Sequence, residues 1–156
     1  MSLDFDSARM HNPNLTAEHE EWRSQLRRFL DREVVPYAAD WDEAGDTPQA
    51  LWPKAGEIGM LGLGYPERYG GISEGIDIWY HNILNEELAR TGVGGVAASL
   101  MVHNIGLPPV VNFAPDALCD DVAPAVISGN ANISLAITEP TAGSDVAQLK
   151  STAQRD

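Results

Sequence analysis

At 156 residues the chain is long enough for one ordinary domain with a sizeable core, and its composition is that of a soluble globular protein. A net charge of −13 excludes the basic face that nucleic acid requires and works against attraction to anionic membrane surfaces. A single cysteine, Cys119, excludes an internal disulfide and reads as a small buried hydrophobe.

The N-terminus has no basic segment followed by an apolar run, and no stretch reads as long enough to cross a bilayer. The expectation is a cytoplasmic protein without membrane insertion. Met1 to Asn14 is polar, with a break at Asn12-Pro13-Asn14. Thr16 then reads as an N-cap, and Glu18, Glu20 and Glu21 follow where the helix dipole favours negative charge. Trp22, Leu26, Phe29 and Leu30 recur at helical spacing, so a long amphipathic helix is expected to reach Asp40, kinked or interrupted at Pro36. Arg23, Arg27 and Arg28 read as a solvated face paired with nearby acids.

Thr47-Pro48 predicts the start of a second helix, with Leu51, Ala55 and Ile58 on its buried side. Five glycines between Gly62 and Gly75 mark an irregular loop. A third helix is expected from Ile76 to Thr91, with Tyr80, Ile83, Leu84 and Leu88 on its apolar face. Gly92-Val93-Gly94-Gly95-Val96-Ala97 fits the spacing of a dinucleotide fingerprint. It is rejected, because that fingerprint must follow a buried strand and here it follows a helix. A fourth helix is predicted from Gly95 to Ile105, with Pro108-Pro109 breaking the chain after it. His103 has no His, Cys or carboxylate at ligand spacing, so no metal is expected. A fifth helix spans Pro115 to Ile127, interrupted near Pro124.

At Gly129-Asn130 helical periodicity gives way to alternation. Ile133, Leu135 and Ile137 alternate with Ser134, Ala136 and Thr138, the pattern of a strand with one small polar face. Pro140 ends any pairing, and Thr141-Ala142-Gly143-Ser144-Asp145 makes a turn whose N–H groups and hydroxyls suit a phosphate. A helical unit over residues 1–131 and the start of a β domain over 132–156 are expected, with Leu149 onward beginning the strand's return.

The run Leu135-Ala136-Ile137-Thr138-Glu139-Pro140-Thr141-Ala142-Gly143-Ser144-Asp145 closely resembles the flavin-binding signature of the acyl-CoA dehydrogenase family. Weaker matches agree with it in order and spacing: Gly59-Met60-Leu61-Gly62-Leu63, Pro66 to Gly71, Glu86 to Arg90, and Val102-His103-Asn104. The resemblance implies a mainly α chain, the N-terminal helical domain of that fold followed by the first strand of a middle β domain. It implies FAD as cofactor and an acyl-CoA thioester as substrate, with electron-transfer flavoprotein or a similar acceptor and a homo-oligomeric complete protein, dimer or tetramer. By position, Leu135, Ala136, Ile137 and Thr138 would line the flavin, and Gly143 and Ser144 would meet its pyrophosphate, with Ser144 also near the CoA. Leu100, His103 and Asn104 would border the acyl pocket. Thr141 stands where the family often has a smaller residue. The catalytic glutamate of the family belongs to a C-terminal part with no counterpart here, so no catalytic residue is nominated among Glu86, Glu87 and Glu139. The tail after Gly129 is expected to be loose or held by another chain. Two other readings stay open at this point: an oxidase-type relative that passes electrons to oxygen, and a non-catalytic helical module acting in protein association.

Overall fold

The structure, a computed structural model, describes residues 3–154. Seven α-helices are present among the described residues: α1 (Ala17–Glu33), α2 (Ala38–Ala44), α3 (Leu51–Glu57), α4 (Ile78–Arg90), α5 (Gly94–Met101), α6 (His103–Phe113) and α7 (Asp116–Ile127).

Thr16 caps α1 as expected, its side chain accepting from the His19 N–H while His19 Nδ1 accepts from the Thr16 N–H at 3.0 Å. Histidine here fills the place usually held by Glu or Gln. The stripe Trp22, Leu26, Phe29 and Leu30 is buried, and each such side chain contributes about 1.5–3 kcal/mol on leaving water. Pro36 interrupts the helix rather than bending it. It has no N–H and keeps the residue before it out of helical geometry, so α1 stops at Glu33 and the chain restarts as α2.

Thr47-Pro48 does not open α3 directly. Leu51 N–H bonds to Pro48 O and Trp52 N–H to Gln49 O, so a tight turn precedes the helix, which starts at Leu51. Asp77 caps α4 through the Trp79 N–H at 2.9 Å. α1 lies along α4, and with Leu51, Trp52, Met60, Leu61, Leu63, Val96 and Leu100 their apolar faces form the main core.

Two proline expectations are corrected. Pro108 and Pro109 lie inside α6, and Pro124 lies inside α7. The bonds lost in α6 would have ended on the carbonyls of Asn104 and Ile105, and α6 continues through the two prolines packed against α7. α6 and α7 pack together over a smaller core of Tyr65, Tyr69, Leu107, Cys119, Ala123, Val126 and Ile127. The length expectation is also corrected. Gly94–Phe113 is 20 residues long with mean hydropathy 1.3, enough to cross a bilayer by length and composition alone. Val96 and Leu100 of that stretch are buried in the main core and Leu107 in the smaller one, while Ile105 and Phe113 are exposed.

After Ile127 the chain turns at Gly129, whose φ is +76° and whose added Cβ would stand 2.3 Å from the Trp52 backbone. Glycine is the residue that fits both constraints. No strand forms among the described residues; Ile133–Thr138 has no ladder, and neither has the stretch from Leu149 to Gln154. Arg155 and Asp156 lie outside the described residues. The alternation is present, but strand geometry needs a neighbour to accept and donate its backbone bonds, and none lies beside it.

Candidate functional site

The tail is anchored where it leaves the helices. Asn132 Nδ2 donates to Gln49 Oε1 at 3.1 Å, and Ile133 packs onto α6 where Gly106 leaves room: a Cβ there would meet Ile133 at 3.2 Å. The side chains of Leu135 and Ile137 are 44% and 36% exposed, so the segment offers apolar surface rather than burying it. Ala136, Thr138, Gly143 and Ser144 are also exposed.

A tight turn follows. Glu139 N–H donates to Ala142 O at 2.8 Å and Ala142 N–H returns to Glu139 O at 3.2 Å, with Pro140-Thr141 at the tip. Gly143 has open space where a Cβ would project. The N–H groups of Gly143 and Ser144 have no acceptor among the described residues. The turn thus presents a Ser hydroxyl and two unused backbone donors, the donor set a phosphate takes. The Asp145 carboxylate accepts from Ala147 N–H at 3.2 Å and Gln148 Nε2 at 2.9 Å.

Beside the start of the tail lies a cavity of about 620 Å³, bounded by Trp41, Trp52, Ala98, Ser99, Val102 and Ile133. The α5 face toward it carries small side chains. Of the other residues expected at the site, Asn104 is exposed and accepts from the Tyr65 hydroxyl at 3.4 Å. Leu100 and His103 are inside the core, 0% and 5% exposed. His103 Nδ1–H donates to Leu100 O at 3.0 Å, and burial holds the imidazole below its usual pKa, so it stays neutral. Burial likewise pushes the Tyr65 hydroxyl up to about 12.

Glu86 and Glu87 of α4 are engaged in ion pairs. Glu87, 1% exposed, accepts from Arg27, Arg90 and Arg23 at 2.7, 2.9 and 3.4 Å, and Glu86 accepts from Arg23 at 2.6 Å. Burial raises the Glu87 pKa, but Arg27 and Arg90 outweigh it and the carboxyl stays ionised, below its ordinary value. Arg23 and Arg90 are buried with it, so the arginine group is a buried ion cluster rather than the solvated face expected; Arg28 alone of the three named is exposed. No group of three or more His, Cys, Asp or Glu able to hold a metal is present among the described residues.

Residues 16–130 match the family model described as acyl-CoA dehydrogenase, N-terminal domain. The chain belongs to the acyl-CoA dehydrogenase family. It is 35% identical over 141 residues to the mitochondrial long-chain specific acyl-CoA dehydrogenase of Sus scrofa, covering 90% of this chain and 32% of that protein. Its fold is similar to a probable acyl-CoA dehydrogenase from Mycobacterium abscessus, with a TM-score of 0.81 and 38% identity over 90% of this chain and 37% of that one. It is also similar to an acyl-CoA dehydrogenase complexed with FAD from Bacillus anthracis, with a TM-score of 0.73 and 28% identity over 96% of this chain and 25% of that one. The chain thus spans about a third of the length of the curated relatives it matches.

Within the acyl-CoA dehydrogenase frame, the reach of Glu139 along the chain has no mark in the local sequence pattern. Its carboxylate accepts from Lys150 N–H at 2.9 Å and Ser151 N–H at 2.8 Å. Those partners lie 11 and 12 residues further on, at no spacing a pattern would flag.

Proposed function

We propose that these residues act as the N-terminal part of a FAD-dependent acyl-CoA dehydrogenase that removes hydrogen from the α and β carbons of an acyl-CoA thioester. The observation that carries this reading is the exposed Leu135–Ser144 segment: apolar side chains for a flat ring run directly into a turn with open N–H donors for a diphosphate. The donor set and the open space at Gly143 fit FAD. When bound, FAD accepts the substrate's β hydrogen as hydride.

Leu135, Ala136, Ile137 and Thr138 would support the flavin, and Gly143 and Ser144 would hold its pyrophosphate, with Ser144 also reaching the CoA side. Asn104 would border the acyl chain, with Leu100 and His103 backing that wall from inside the core. No base is assigned here. Glu87 is locked in ion pairs, Glu86 holds Arg23, and both Glu139 oxygens already accept N–H groups. We further propose an electron-transfer flavoprotein or similar acceptor as redox partner, a homo-oligomeric assembly, a helical domain over 1–131 joined to a β domain from 132, and a cytoplasmic setting.

The test is the visible spectrum of the complete protein that contains these residues, followed by anaerobic addition of acyl-CoAs. Flavin absorbance that bleaches with a thioester supports the reading. A flavin that no thioester reduces, or a protein that takes up no flavin, overturns it. Oxygen uptake during turnover would place the activity with the oxidases instead.

A further inference from the structure

We propose that Glu139 is a positioning residue whose carboxylate holds the Gly143–Ser144 turn in the shape that receives the flavin pyrophosphate. The inference rests on the flavin reading above. Glu139 closes the loop twice. Its main chain pairs with Ala142 in both directions, which fixes the tight turn. Its side chain spans to Lys150 and Ser151, which fixes the far end of the loop. Between these two closures lie Gly143 and Ser144, whose N–H groups point to no acceptor among the described residues. Asp145 adds an inner clasp on Ala147 and Gln148. The loop is therefore shaped by its own carboxylates while its donors stay unspent.

This arrangement has a physical rationale. An exposed loop without regular structure pays an ordering cost when it binds, and a loop already closed pays less. Bonds from backbone N–H to a carboxylate are stronger than neutral ones. The Ser151 hydroxyl and the Lys150 and Ser151 N–H groups hold the Glu139 carboxyl below its ordinary value, so the clasp is charged at neutral pH. Both oxygens are occupied by donors, which suits a structural brace and not a proton acceptor.

The test uses Glu139→Ala and Glu139→Gln in the complete protein, stripped to apoprotein. Two quantities are read: hydrogen exchange at the Lys150 and Ser151 amides, and the FAD dissociation constant from fluorescence quenching. In Glu139→Ala both amides should exchange at least about tenfold faster, and FAD should bind at least about tenfold more weakly, the loss typical of a charge-assisted hydrogen bond. Glu139→Gln, which keeps one acceptor oxygen, should fall between the parent and Glu139→Ala. The melting temperature should not move, because Glu139 lies outside both apolar clusters. Unchanged FAD binding in Glu139→Ala, or amides that exchange freely in the parent, overturns the role of Glu139 and leaves the flavin reading standing. A melting temperature that falls in step with FAD affinity overturns it also, since the effect is then general. A parent apoprotein that takes up no FAD overturns the flavin reading itself, and this inference with it.

Discussion

Glu87 is the residue on which the α1–α4 contact turns. Its carboxylate is buried, and three guanidinium groups from α1 and α4 converge on it. Asp6, at the start of the chain, pairs with Arg27 at 2.6 Å, and Leu3 N–H donates to Arg90 O at 2.8 Å, so the N-terminal segment covers the same cluster. Removing Glu87 takes away the one carboxylate buried among these arginines and leaves Arg23, Arg27 and Arg90 with only more exposed partners, among them Glu86, Asp6 and Asp31. Glu87→Ala should therefore lower unfolding free energy by about 3–5 kcal/mol, read from urea denaturation. Glu67 acts at the surface. It accepts from the Ser73 hydroxyl at 2.6 Å and from the Ser73 and Glu74 N–H groups, and the hydroxyl first, then the backbone donors, lower its pKa to about 2. A depressed folded-state value means the stabilisation is full above the ordinary 4.5 and is lost as pH falls towards 2. Glu67→Gln should flatten the stability profile across that window and leave its shape above pH 5 unchanged, checked by urea titrations at stepped pH.

At the scale of elements, Gly129 sets how α7 hands the chain to the tail. Gly129→Ala would drive a methyl into the Trp52 backbone at a positive φ, and should destabilise by about 1–3 kcal/mol with a fall in melting temperature. α1 was legible because its cap and its stripe of Trp22, Leu26, Phe29 and Leu30 are local features, and the structure buries all four. α6 and α7 were legible in part. Proline taken alone stops a helix, but α6 runs through Pro108 and Pro109, where packing against α7 supports it. That support is tertiary and leaves no mark in the local pattern. Ile133–Thr138 shows the opposite case: its alternation is strand-like, yet pairing is a property of two segments, and no second one lies beside it among the described residues. The turn at Pro140–Asp145 was readable from its residues, whereas the reach of Glu139 to Ser151 was not, since nothing in composition fixes which N–H a carboxylate will find.

Across the whole molecule, two apolar clusters share one helical body. The larger joins α1, α3, α4 and α5, and the smaller joins α6, α7 and the loop bearing Tyr65 and Tyr69. Leu100 belongs to the larger and is fully buried, so Leu100→Ala should cost about 2–5 kcal/mol in chemical denaturation. Tyr65 ties its loop to the start of α6, its hydroxyl donating to His103 O at 3.3 Å. The tail is tied into this body at Asn132 and Ile133. Those two contacts act as a mooring: Gln49 and Gly106 set the point at which the exposed Leu135–Thr138 segment departs from the helices.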